Sequence, residues 1–190
     1  MRFLLPLLLA IALNANAATS RLIDAVKNRD TAALRGLLSQ RVDVNAAEPD
    51  GTTALHWAVR ADDPQTAEML IRAGANVRAK NRYGVTPLQL ACTNGNGAMV
   101  EMLLKAGADP NTAMPEGETV LMTAARAGRV DAVKALIDHG ADVNAKENWR
   151  GQTALMWAAA EGNSAVIRLL LASGADLRVR SNGGFSAFLF

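Results

Sequence analysis

A single cysteine, Cys92, rules out any intrachain disulfide in this 190-residue chain. A lone thiol is safest away from solvent, so Cys92 is expected to be buried and unreactive rather than a nucleophile. Histidine is almost as scarce. His56 and His139 lie at unrelated positions, and two histidines with one cysteine do not make a metal site. General acid–base work needs a partner within reach, and no such constellation is present. Neither G-x-x-x-x-G-K-[ST] nor G-x-G-x-x-G occurs, and residues 94–97, Asn-Gly-Asn-Gly, read as a turn between helices. The acidic residues follow no calcium-loop spacing. No catalytic, cofactor-binding or metal-binding residue is therefore assigned, no cofactor is expected, and the chain is not expected to be an enzyme.

An excess of one charge is missing too. Lys and Arg number 20 against 18 Asp and Glu, a net charge of +2. So even a balance excludes the strongly cationic surface that nucleic acid or an anionic membrane would demand. Long apolar runs are confined to the start, where residues 3–13 cover about half of the ~20 residues that a membrane span needs. Met1 and Arg2 precede that run, and Ala15-Asn16-Ala17 supplies a small-x-small site after it. Residues 1–17 thus read as a signal peptide, cleaved between Ala17 and Ala18. Losing Arg2 with it takes the charge from +2 to +1. No cysteine follows the run, so neither a lipid anchor nor membrane insertion of the mature chain is expected. The location read from this segment is exported, periplasmic first and extracellular as the alternative.

Repetition, by contrast, is plentiful. DGTTALHWA from Asp50 returns as YGVTPLQLA from Tyr83, EGETVLMTA from Glu116, RGQTALMWA from Arg150 and GGFSAFLF from Gly183. Gly51, Gly84, Gly117, Gly151 and Gly184 are separated by 33, 33, 34 and 33 residues. Gly74, Gly107, Gly140 and Gly174 are separated by 33, 33 and 34. Both series gain their extra residue between Gly140 and Gly151, so one insertion in one loop explains both. A fixed period of this size means a solenoid of stacked units.

Within a unit, Thr53, Thr86, Thr119, Thr153 and Ser186 stand just ahead of apolar runs, where a hydroxyl caps a helix. Pro87 sits at a first helical position, where its missing donor is harmless. Ala58, Ala91, Ala124 and Ala158 let neighbouring helices approach. A turn near Gly95, Gly128 and Gly162 leads to a second helix with an i, i+3, i+4 apolar stripe, as in Val100-Leu103-Leu104. Gly74, Gly107, Gly140 and Gly174 close it in the left-handed conformation.

With GVTPLQLA, GADPN and GADVNA in register over about residues 20–190, the chain resembles an ankyrin-repeat protein. The resemblance implies an all-α repeat solenoid of helix pairs joined by β-hairpin loops, with about five stacked repeats and a partial sixth. The expected boundaries are a capping repeat at 18–45, repeats at 46–78, 79–111, 112–144 and 145–178, and the start of another at 179–190. In the cap, Arg21, Asp24, Lys27 and Asn28 mark a solvated outer face. Arg41 holds the slot of Gly74, and its turn is expected to differ from the glycine turns. Asp63 is expected to cap the second helix of the next unit, with Pro64 at its first position. The family's motif histidine is kept only as His56, in a structural slot that usually bonds backbone groups. The array stops within a first helix, so further sequence is expected beyond Phe190.

What remains for function is surface. The resemblance implies a concave side formed by loop tips and first-helix ends, and a protein partner bound by shape and hydrogen bonding over several repeats. Carried over residue by residue, the contact positions at the tips are Arg82, Tyr83 and Val85; Glu116 and Glu118; and Trp149, Arg150 and Gln152. The first-helix ends add Arg60, Thr93, Asn94, Arg126 and Glu161. Trp57 and Trp157 are read as core packing in preference to ligand stacking. Trp149 lies in the lengthened hairpin and either folds over the next hairpin or projects as an anchor, with Tyr83 and Arg150 nearby favouring the anchor. The function read from this surface is a monomeric, non-enzymatic interaction scaffold. The alternatives are the recognition arm of a larger enzyme or toxin, or a stability factor for an exported enzyme.

Overall fold

The computed structural model describes residues 21–189, so the expected signal peptide at 1–17 and Phe190 lie outside the described residues. Among the described residues, ten α-helices follow one another in pairs. The first two are α1 (residues 21–27) and α2 (Thr31–Ser39); α3 (Ala54–Arg60) and α4 (Pro64–Arg72) come next. Then come α5 (Pro87–Asn94) with α6 (Gly97–Lys105), α7 (Val120–Arg126) with α8 (Val130–Asp138), and α9 (Ala154–Ala160) with α10 (Ser164–Ala172). A short 3-10 turn, Ala187–Leu189, follows.

Local chemistry sets the ends of these helices. The hydroxyls of Thr53, Thr86, Thr119 and Thr153 accept from the backbone N–H three residues on, satisfying one of the donors that a helix start leaves free. Asp63 caps α4 in the same way, with Pro64 at its first position. The first helix of a pair is buried nearly all round, as α7 is from Val120 to Ala125, while the second buries one face, as α4 does with Ala67 and Leu70. α3, α5, α7 and α9 stack in sequence, and Leu55, Leu88, Leu121 and Leu155, each the second residue of its helix, are almost wholly inaccessible to solvent. α6, α8 and α10 form the outer row. One continuous core runs from Leu22 to Ala175, and in the first pair Arg21, Asp24, Lys27 and Asn28 face outward.

The loops between pairs are hairpins closed by a few backbone bonds rather than by β-strands. Isolated bridges join Ala47 to Thr53 and Ala113 to Thr119, and no longer ladder forms among the described residues. Neighbouring hairpins also bond to one another near their tips. Arg82 N–H donates to the Asp50 carbonyl at 2.8 Å, Asn148 to Glu116 at 2.9 Å and Asn182 to Arg150 at 2.7 Å. The residue between Arg82 and Asn148 in this series is Pro115, which has no N–H to give, so the row is interrupted there. Away from the tips, asparagines link the loops. Asn45, Asn111 and Asn144 donate to the carbonyls of Gly74, Gly140 and Gly174 and accept from the N–H of Asn76, Asp142 and Asp176. Arg78 stands in the same slot and reaches the Gly107 carbonyl through Nε at 2.6 Å.

His56 adds a cross-repeat bond. Nδ1 faces the Thr53 N–H at 3.2 Å, so the neutral ring carries its proton on Nε2, which donates to the Val85 carbonyl at 3.1 Å. In the matching slots Met122 Sδ takes the Thr119 N–H, while Gln89 donates to Thr123 Oγ1 at 2.8 Å.

The turn at Arg41 departs less from its counterparts than expected. It has the same left-handed sense, at φ 54° against 89–96° for Gly74, Gly107, Gly140 and Gly174. Stacking of the next pair dictates the reversal whatever the residue, and a side chain confines it to the narrow left-handed well. Arg29 and Asp62 are likewise left-handed at the inter-helix turn, where later pairs use Gly95, Gly128 and Gly162.

Two outcomes follow. Arg41→Gly should raise unfolding stability by about 0.5–1 kcal/mol, the relief of left-handed strain less the added freedom of the unfolded chain; denaturant unfolding reads it directly. Burial pushes the His56 pKa below its ordinary value of 6.5, an effect its bond to the Val85 carbonyl only partly opposes. The unfolded chain therefore takes a proton that the folded chain refuses, and this contribution to stability is lost as pH falls through and below 6.5. Comparing wild type with His56→Gln between about pH 7 and pH 5 should show a smaller loss in the variant.

Candidate functional site

Two hairpin tips and two helix ends enclose a hollow. The tips are residues 114–118 and 147–152, and the helix ends are Arg126 of α7 and Trp157 to Glu161 at the end of α9. The cavity between them measures about 530 Å³ and is lined by Met114, Glu116, Glu118, Arg126, Glu147, Trp149, Arg150, Gln152, Trp157, Ala160 and Glu161. Seven of the thirteen sequence-expected contact residues are thus brought together: Glu116, Glu118, Arg126, Trp149, Arg150, Gln152 and Glu161.

The other six lie elsewhere on the array, and most are tied to neighbours. Arg60 stands over the Trp57 ring at 5.5 Å. Arg82 stacks on Tyr83 at 4.9 Å and donates to its hydroxyl at 2.7 Å, leaving Tyr83 56% exposed. The Val85 backbone is spent, its carbonyl on His56 and its N–H on Asn81 Oδ1. Thr93 bonds the Gln89 carbonyl within its own helix, and Asn94 reaches back to the Val59 carbonyl at 2.8 Å.

The lengthened hairpin has its own internal support. Its neighbours close with a four-residue step, Asn81 N–H to Val85 C=O for example, whereas Glu147 N–H reaches the carbonyl of Gln152. In the shorter loops the tip glycine N–H returns to the first residue's carbonyl, as Gly117 does to Met114. Here the carboxylate of Glu147 takes over. It lies almost wholly out of solvent, only 7% exposed, and accepts from the N–H groups of Trp149, Arg150 and Gln152 at 2.7–3.0 Å. That fixed loop presents Trp149 at 75% exposure, with Arg150 stacked at 4.5 Å from its ring centre. Of the two alternatives for this side chain, that exposure matches projection into solvent.

Trp157 is more than a core residue. It packs on the core, yet it also lines the cavity, with Arg126 at 4.7 Å from its ring centre. Its indole N–H is out of solvent with no acceptor among the described residues, a state that costs about 1–3 kcal/mol. At the equivalent Trp57 the indole donates to Glu48 at 2.7 Å. The matching carboxylate, Glu147, is committed to its own loop. The inserted residue was visible in the glycine spacing, but this diversion of Glu147 was not. Met114 and Ala160 carried no distinguishing signal.

The family model described as Ankyrin repeats (3 copies) matches residues 22–114 and again 111–181, most of the chain. This is an ankyrin-repeat protein. No curated protein matches the sequence significantly. Ankyrin repeats generally mediate protein–protein interaction, and the surface of this array offers recognition chemistry: indoles, guanidiniums and carboxylates. Its one thiol is buried, and its histidine at the end of α8 is paired. Burial pushes the Cys92 thiol up to about 12, far from the thiolate form. His139 contacts Glu101 of the preceding pair at 3.2 Å. Among the described residues, no group of His, Cys, Asp and Glu could hold a metal ion, and no helix is long and apolar enough to cross a membrane.

The two hairpin residues of this ankyrin array should respond oppositely to truncation. Glu147→Ala frees three backbone donors and should cost about 2 kcal/mol of stability, while Trp149→Ala should change it by no more than about 0.5 kcal/mol. Parallel denaturant unfolding separates the two.

Proposed function

We propose that this ankyrin array is a non-enzymatic scaffold that binds a protein partner along its concave side, through hairpin tips and first-helix ends. The observation that carries this reading is Trp149. An indole 75% exposed beside a cavity of about 530 Å³, on a loop braced from within by a nearly buried carboxylate, is arranged for contact rather than for packing. Such preorganised aromatic and arginine side chains dominate binding energy in protein interfaces. Tyr83, stacked under Arg82, extends the same surface toward the N-terminal pairs. The array acts as a monomer in this reading. Its location is exported, supported by the basic start, apolar run and small-residue site of residues 1–17.

The test is a photo-crosslinking amino acid placed at position 152 of the mature chain, with Trp149→Ala and Tyr83→Ala introduced separately and together. Loss of Trp149 should weaken capture of a protein partner roughly 30-fold, about 2 kcal/mol, at an unchanged unfolding midpoint. Equal capture by wild type and the double variant would remove the tip surface from the binding mechanism.

A further inference from the structure

The molecule contains its own template for how a tryptophan in this slot is completed. Two cations cover the Trp57 ring: Lys27 Nζ, from the preceding helix pair, at 4.2 Å and Arg60, three residues on in the same helix, at 5.5 Å. Lys27 also pairs with Glu48 at 2.6 Å, and Glu48 accepts the indole N–H. The equivalent positions around Trp157 are Arg126 for Lys27 and Ala160 for Arg60. Arg126 is in place over the ring at 4.7 Å. Ala160 has no side chain to supply the second cation, and it lines the cavity.

The charges around that position are unbalanced in one direction. Four carboxylates line the cavity, Glu116, Glu118, Glu147 and Glu161, against the two guanidiniums of Arg126 and Arg150. Glu147 is held by its own loop amides, and Glu118 faces Arg126 at 3.5 Å. Glu116 and Glu161 have no ion-pair partner among the described residues. An anionic occupant would face both, and a neutral one would strip water from them without replacing it.

We infer that this cavity takes a lysine or arginine side chain carried on a polypeptide segment of the partner, in the position that Arg60 holds at Trp57. The inference rests on the scaffold reading above and names its chemistry. The cation lies between Glu116 and Glu161 while its aliphatic stem runs along Met114 and the Trp149 indole. A polypeptide, unlike a free cation, also brings backbone and apolar neighbours to lie along the exposed Trp149 indole.

The test follows the three indole N–H resonances of the 15N-labelled mature chain during titration with the blocked pentapeptide Ala-Lys-Leu-Lys-Ala. Its controls are Ala-Glu-Leu-Glu-Ala and spermidine, each to about 10 mM, the range of weak single-anchor binding. The lysine peptide should shift the Trp149 and Trp157 resonances saturably, with Trp57 unmoved and at least about tenfold tighter binding than either control. Glu116→Gln with Glu161→Gln should weaken it about tenfold or more. Ala160→Arg, which fills the position from within at an exposed helix end, should abolish the shifts while keeping the unfolding midpoint, and Ala160→Gln should not. Equal or tighter binding of the glutamate peptide would overturn the charge assignment and leave the tip surface as a binding site. Equal binding of spermidine would overturn the polypeptide assignment. No shift with any probe would overturn the inference outright, while the crosslinking at position 152 decides the scaffold reading independently.

Discussion

No helix pair in this chain can bury its own apolar face, and that single shortage organises the structure. Each helix of the inner row is only seven to eight residues long, below the length at which an isolated helix persists in water. Leu55, Leu88, Leu121 and Leu155 leave solvent only because the next pair covers them. Stability in such an array is a sum of weak units and strong interfaces. Polar groups then fix the spacing that burial alone leaves loose. The asparagine bonds between loops, the tip-to-tip amide bonds and the His56 to Val85 contact all cross from one pair to the next. They hold the stack at one offset, and the offset determines which side chains share a cavity.

Much of this could be read from the residues because the chemistry at those positions admits few substitutes. Glycine reaches a left-handed turn without a steric penalty, so its two series exposed the period and the inserted residue. Threonine ahead of an apolar run and Asp63 ahead of Pro64 have one obvious use each, and the structure puts them to it. Cys92 in a compact apolar segment had little choice but burial. Arg41 was harder, because its left-handed turn is imposed by the neighbour it must stack against, and its own propensity argues the other way. Arg78 in an asparagine slot was harder still, since only the loop geometry shows that Nε reaches the same carbonyl.

The cavity illustrates where residue-level reading stops. Glu147 sits in a hairpin whose extra residue was countable, but a count does not say that the carboxylate will turn inward and cap three amides. Once it does, the acceptor that Trp57 enjoys in Glu48 is denied to Trp157. A local solution to loop closure thus leaves an unmatched donor one helix away. Trp157 was assigned to the core on sound grounds, since its ring does pack there; its other edge belongs to the cavity. Dual roles of this kind are invisible to a pattern that scores each position as inside or outside.

Pro115 gives the array a mechanical character that the helices alone would not have. The amide bonds between hairpin tips run like a tendon along one edge, from Asp50 to Arg82 and again from Glu116 through Asn148 and Arg150 to Asn182. At Pro115 the tendon is cut, because an imino nitrogen cannot carry it across. The edge therefore lacks one link, between the tip bearing Tyr83 and the tip bearing Glu116. The tips bearing Glu116 and Arg150 stay linked along the cavity wall through Asn148, while the tip bearing Tyr83 meets the next one by packing, with Pro115 set against Gly84.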